Sequence, residues 1–81
     1  MQAITTKFLP ATVAKGDRIK AITESGLTMT SGWDYDLEVA ENHHAVAEAL
    51  AKKLGWLERN TMHSGSMHGG GFCHVLVANQ K

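Results

Sequence analysis

Val39-Ala-Glu-Asn-His-His-Ala-Val-Ala-Glu-Ala-Leu-Ala-Lys-Lys-Leu54 is the stretch from which the fold is read. Its apolar positions Val39, Val46, Ala47, Leu50 and Leu54 recur at the spacing of one helical face, and His43 occupies the one unfilled place in that stripe. Glu38 and Glu41 sit in the first turn, Lys52 and Lys53 in the last, which complements the helix dipole at both ends. Gly55 follows as the natural residue after the C-cap. Asp36 offers the best N-capping side chain, since Glu38 has a poorer shape for that role. The spacing predicts a helix over 38–54, one face on a sheet, with Trp56 and Leu57 pinning its end to the core.

Upstream of the helix the period changes from 3.6 to 2. Ile4, Thr6 and Phe8 alternate with Thr5, Lys7 and Leu9, which predicts a strand over 2–9 ended by Pro10. A turn at Ala14-Lys15-Gly16-Asp17 leads to a second alternation, Ile19, Ala21 and Thr23 against Arg18, Lys20 and Ile22. After Glu24-Ser25-Gly26 a third short strand carries Leu27 and Met29, extending toward Trp33. Downstream, residues 60–71 are rich in Gly, Ser and His and predict a long flexible loop, and Phe72 to Ala78 a final strand. The expected fold is a single α+β domain over 1–81: an antiparallel-rich, four-stranded sheet with one helix packed across it, in the order β-β-β-α-β.

At 81 residues the chain holds one domain with a modest core. A single cysteine, Cys73, makes no internal disulfide; mid-strand among aliphatics, it reads as a small core residue. No apolar run approaches the ~20 residues that span a bilayer, and Lys7 interrupts any signal-peptide core. Cytoplasmic residence and no membrane contact are the expectations. The net charge of zero conceals blocks. Residues 1–20 are net +3 (Lys7, Lys15, Arg18 and Lys20 against Asp17), residues 21–50 are −6, and residues 51–81 are +3. Long-range steering by net charge is excluded, whereas local patches of either sign are not.

Chemistry-bearing residues are few. Met62-His63 and Met67-His68 repeat at a spacing of five and pair thioether with imidazole, the donors copper prefers. A Gly-rich loop fixes ligands poorly, so the expectation is no metal and no cofactor, with a His63/His68 module as an alternative. His43 and His44 are adjacent on a helix, so they are expected to point apart, His43 to the core side as a partly buried residue with a hydrogen-bond partner and His44 into solvent. Gly69-Gly70-Gly71 lacks the Lys-Ser/Thr and helix of a phosphate loop. No serine or cysteine lies in a nucleophile motif, so a non-enzymatic protein is expected. Trp33, Asp34, Tyr35 and Asp36 form an acidic aromatic segment suited to protein contact, and Lys15, Arg18 and Lys20 form a basic turn and strand.

Met1-Gln-Ala-Ile-Thr-Thr-Lys-Phe-Leu-Pro-Ala-Thr12, Lys15-Gly-Asp-Arg-Ile-Lys-Ala21, Asn42-His43, Ala47-Glu-Ala-Leu-Ala-Lys-Lys-Leu-Gly-Trp56 and Gly69-Gly-Gly-Phe-Cys-His-Val75 together span nearly the whole chain. In them the chain resembles a family of small uncharacterised bacterial and phage proteins, departing from its pattern at Glu38 and in the longer Met/His loop. The resemblance implies a standalone gene product common on mobile elements, and offers no catalytic residues to transfer. Small phage domains of this size and style include inhibitors of host machinery such as the anti-CRISPR proteins. The expected function is therefore binding to a host protein or ribonucleoprotein complex, as a monomer or weak homodimer, through Trp33–Asp36 or the basic Lys15, Arg18 and Lys20. The alternative is a nucleic-acid-binding module using the basic first hairpin.

Overall fold

A computed structural model describes residues 2–13, 16–67 and 70–79. Strands β1 (Gln2–Leu9), β2 (Arg18–Thr23) and β3 (Thr28–Gly32) precede helix α1 (Val39–Lys53), a single 3-10 turn (Trp56–Glu58), and strands β4 (Asn60–Ser66) and β5 (Phe72–Ala78). The sheet has five strands in the order β3-β2-β1-β5-β4, every neighbouring pair antiparallel. The α+β class and the helix across the sheet are as expected; the count of four strands is not. Residues 60–66, expected as loop, form the edge strand β4, paired with β5 from Asn60 opposite Ala78 to Ser66 opposite Phe72. Ser64, Gly65 and Ser66 have little strand propensity of their own, so the β5 ladder imposes the conformation. Beyond the ladder, Gly71 O accepts from Met67 N at 2.7 Å.

The α1 face that the sequence marks as apolar is the buried one. Val46, Ala47, Leu50 and Ala51 meet Ile4, Ile19, Ala21 and Leu76, and these eight residues are the core. Removing Leu50's side chain to Ala would cost about 2–5 kcal/mol by transfer and cavity terms. Val39 departs from the stripe and is exposed. After α1, Leu54 is the C-cap and Gly55 takes φ +77°, the left-handed conformation that ends a helix most cheaply with glycine.

The N-terminal cap differs from expectation. Glu38, not Asp36, is the N-cap residue, and its backbone N–H donates to Glu41 Oε1 at 3.0 Å. Asp36 lies too far upstream, in a turn held by Asp34, whose Oδ1 accepts from Asp36 N at 2.9 Å. Asn42, buried on the first turn, ties this turn to the helix. Its Oδ1 accepts from Asp34 N, and its Nδ2 reaches Asp34 O, Leu37 O and Glu38 O at 2.9–3.3 Å. The buried polar amide is thus satisfied at both ends by backbone groups of the β3–α1 turn and the N-cap.

All helix packing is on one face of the sheet. Strand alternation sends Ile4 and Thr6, Ile19 and Ala21, Met29, Met62 and Leu76 toward α1, and the other parity away from it. The uncovered face therefore presents Ala3, Thr5, Lys7 and Leu9 from β1, Arg18, Lys20 and Ile22 from β2, and Thr28 and Thr30 from β3. From β5 and β4 it presents Cys73, Val75, Val77, Thr61 and His63. Cys73, expected in the core, is on this face and half-buried.

Candidate functional site

Two features of the molecule go beyond packing: a basic end on the uncovered sheet face, and a chain of imidazoles and hydroxyls under the helix.

The basic end arises from register. Lys7 stands opposite Lys20 across the β1–β2 ladder, Lys20 opposite Thr30, and Arg18 opposite both Leu9 and Gly32. Like charges directly opposed in a sheet are unfavourable, and nothing in the strands offsets them. Among the described residues, β1 to β5 contain no Asp or Glu at all. The carboxylates gather elsewhere: Asp34, Asp36, Glu38, Glu41 and Glu48 lie in the β3–α1 loop or on α1. The acidic loop nonetheless meets the basic end at one point: Trp33 N donates to Asp17 O and the Tyr35 hydroxyl to the Asp17 carboxylate, next to Arg18. Arg18 is half-buried, and its Nε lies out of solvent with no hydrogen-bond partner among the described residues. Because β5 begins at Phe72, opposite Thr6, Lys7 to Leu9 extend past it. Among the described pairings, this end of β1 is laddered to β2, and β2 in turn to β3.

The second feature begins at Thr6, buried in the centre of the sheet. Its Oγ1 lies 2.7 Å from His43 Nδ1 and 3.0 Å from His74 Nε2. His74 Nδ1 is 2.6 Å from Ser64 Oγ, which lies 3.4 Å from His44 Nδ1, and His44 Nε2 lies 3.2 Å from Glu48 Oε2. The chain runs from the core to an open groove of about 480 Å³ lined by Leu37, Ala40, His44, Glu48, Ser64 and Phe72. Burial, with His44 and His43 nearby, pushes the His74 pKa down to about 4, and burial lowers that of His43. Both rings are therefore neutral at pH 7, each with one donor and one acceptor nitrogen. A neutral His74 satisfied at both nitrogens makes this chain a polar clasp joining β1, α1, β4 and β5.

Sequence reasoning gave His43 a buried place and a partner, and it has both. It set His44 apart in solvent; His44 is exposed, yet it joins the same chain from the far end through Ser64. Thr6, Ser64, His74 and Asn42 were not singled out, and Lys7 was not placed with Arg18 and Lys20. Parity with Thr5 and Leu9 gives the face that Lys7 takes, while the β1–β2 register is what sets it opposite Lys20.

The acidic aromatic segment does not stay together. Trp33 turns inward, its ring 4.9 Å from that of Phe8 and 6.1 Å from His43, both edge-on. Asp34 holds the turn before α1. Tyr35 is 76% exposed, and its hydroxyl donates to Asp17, which raises the phenol pKa, chiefly through that hydrogen bond. Asp36 is exposed. Of the basic trio, Arg18 and Lys20 share the uncovered face, and Lys15 lies outside the described residues. The Met/His pairing does not form a site: Met62 points toward the helix side and His63 away from it, and His68 lies outside the described residues. Among the described residues no three His, Cys, Asp or Glu side chains are placed to hold a metal ion. No helix among them is long and apolar enough to cross a membrane. No protein-family model, no curated protein and no solved structure matches the chain.

Proposed function

We propose that the chain is a nucleic-acid-binding module whose contact surface is the uncovered sheet face around Lys7, Arg18 and Lys20. One observation carries this reading: every cation of the five strands lies on that face, and no strand contains a carboxylate. Opposed lysines cost stability in the free protein and suit a partner that brings its own closely spaced negative charges. Phosphate contacts of this kind release counterions, so the affinity should fall steeply with salt. Titration of a labelled oligonucleotide at low and moderate salt tests the reading. Binding lost on Lys7→Gln plus Lys20→Gln supports it, and salt-independent lack of binding by the unaltered chain refutes it.

A second reading has its own observation. Tyr35 is highly exposed beside Asp36, with Glu38 and Glu41 in the same acidic region. Such a surface suits a cationic site on a host protein or ribonucleoprotein, and would make the chain an inhibitor of that complex, as anti-CRISPR proteins are. Capture of one stoichiometric protein that survives nuclease treatment, and is lost with Tyr35→Ala plus Asp36→Lys, would favour this reading over the first.

A further inference from the structure

We infer that Ser64, His44 and Glu48 form a serine-hydrolase site that cleaves small, uncharged carboxylic esters in the groove beside α1. The inference is independent of the nucleic-acid reading, because this groove lies on the helix side of the sheet and Lys7, Arg18 and Lys20 lie on the other. Ser64 Oγ is 3.4 Å from His44 Nδ1, and His44 Nε2 is 3.2 Å from Glu48 Oε2. That is the order of nucleophile, base and orienting carboxylate in acyl-transfer sites, and the first contact has the looser length common before a substrate closes on it. Ser64 and His44 are exposed, so an ester can reach both. The three side chains come from β4 and one turn of α1, and share no local motif. Glu48 sets the direction of every hydrogen bond in the chain. A carboxylate only accepts, so in neutral His44 the proton sits on Nε2 and Nδ1 is the acceptor. Ser64 then donates its one hydrogen to His44 Nδ1, and its oxygen accepts from His74 Nδ1 at 2.6 Å. His74 Nε2 in turn accepts from the Thr6 hydroxyl, whose oxygen accepts from His43 Nδ1. Turning the Ser64 hydrogen toward His74 instead leaves His44 Nδ1 without a partner in the chain. His74 therefore does not compete for the Ser64 proton.

The backbone supplies the oxyanion donor. Met67 N bonds Gly71 O and Asn79 N bonds Arg59 O, so odd-numbered residues of this ladder turn their backbone groups toward β5. Ser64 is even-numbered and β4 is an edge strand, so its N–H points to the open edge, without a hydrogen-bond partner among the described residues. The groove, about 480 Å³, is in the range of small-molecule sites. Leu37, Ala40, Ala45 and Phe72 make it apolar, and Glu41 and Glu48 make it acidic, which favours a short apolar acyl chain over an anionic substrate. A single backbone donor suits an ester, whose alkoxide leaves more readily than an amine. Ser64 Oγ bonds the carbonyl carbon as its proton passes to His44 Nδ1 and the carbonyl electron pair moves onto oxygen beside Ser64 N–H. The C–O bond to the alcohol then breaks, the leaving oxygen takes the proton from His44, and acyl-Ser64 remains. Water attacks the acyl carbon and gives a proton to His44. As the Ser64 ester bond breaks, that proton returns to Oγ and the carboxylic acid is released. Glu48 holds the imidazole in place and offsets its charge while it is protonated.

The test pairs hydrolysis of p-nitrophenyl butyrate with labelling by phenylmethylsulfonyl fluoride, read as the mass of the intact chain and located by peptide mapping. The expected result is turnover above buffer and one phenylmethylsulfonyl group, on Ser64. Ser64→Ala should lose both. His44→Gln should lower kcat at least about 100-fold, and Glu48→Gln should lower it about tenfold or more with KM unchanged. Ser66→Ala and His63→Ala should keep full turnover, since His63 faces the other side of the sheet. Ser64→Ala also removes a partner of buried His74, so melting temperatures accompany it, and the exposed Glu48→Gln keeps the test decisive if that variant unfolds. Absence of turnover or of label, a label elsewhere than Ser64, or turnover undiminished in His44→Gln and Glu48→Gln overturns the inference.

Discussion

Lys7 and Lys20 are register partners on the uncovered face of the sheet, two ammonium-bearing side chains directly opposed across β1 and β2. The arrangement opposes stability and concentrates positive charge where no strand carboxylate is present to cancel it. Replacing one lysine by an acid should therefore separate stability from function. Lys7→Glu converts a repulsive cross-strand pair into an attractive one, and should raise stability by about 0.2–1 kcal/mol. The same change should weaken binding to nucleic acid at low salt. Denaturant midpoints and anisotropy on the same preparation check both, and a destabilised variant would show that the lysines are not close enough to repel.

Thr6→Val keeps the shape of the side chain and removes its hydroxyl. His43 Nδ1 and His74 Nε2 would each lose a buried partner. Leaving such groups unsatisfied costs about 1–3 kcal/mol apiece, so the variant should lose about 2 kcal/mol or more in urea unfolding, far beyond an exposed Thr5→Val control.

His74 makes stability depend on pH. The unfolded imidazole titrates at the ordinary 6.5, whereas the buried one stays neutral to about 4. Between those values the unfolded chain binds a proton that the folded chain does not. Stability is thus fully present above about 6.5 and is lost as the pH falls toward 4, and His43, lowered in the same direction, adds to the loss. Going from pH 7 to pH 5 should cost up to about 2 kcal/mol. Denaturant unfolding at the two values measures it, and the dependence should flatten in His74→Gln.

Asn42→Ala should loosen the start of α1, because four contacts to the backbone of Asp34, Leu37 and Glu38 depend on one amide. The expected cost is about 1–3 kcal/mol, with faster amide exchange confined to the β3–α1 loop and the first turn.

How much of this was legible in the sequence depends on the range over which each feature is determined. Strands 2–9, 18–23 and 72–78 and the helix are written in local periodicity, and their observed bounds match within a residue. The edge strand β4 is not local: His63, Ser64, Gly65 and Ser66 become a strand only because β5 lies beside them. Charge followed the same rule. Arg18 and Lys20 show their shared face by alternation, but that Lys7 joins them depends on the β1–β2 register, which no single segment contains. Trp33 to Asp36 looked like one surface because the four residues are adjacent in sequence. Trp33 packs inward against Phe8, Asp34 serves the turn, and only Tyr35 and Asp36 are left outward. The clasp of Thr6, His43, His74, Ser64 and His44 spans residues 6 to 74, so sequence could offer His43 a partner and not identify it.

The account stands or falls on whether the uncovered face meets phosphate. The most direct measurement is the affinity for labelled single- and double-stranded oligonucleotides at low salt, for the unaltered chain and for Lys7→Glu plus Lys20→Glu, with melting temperatures recorded for both. Salt-sensitive binding by the first and none by the second, both folded, is the expected result. Equal affinity of the two folded proteins, or no binding by either, would contradict it.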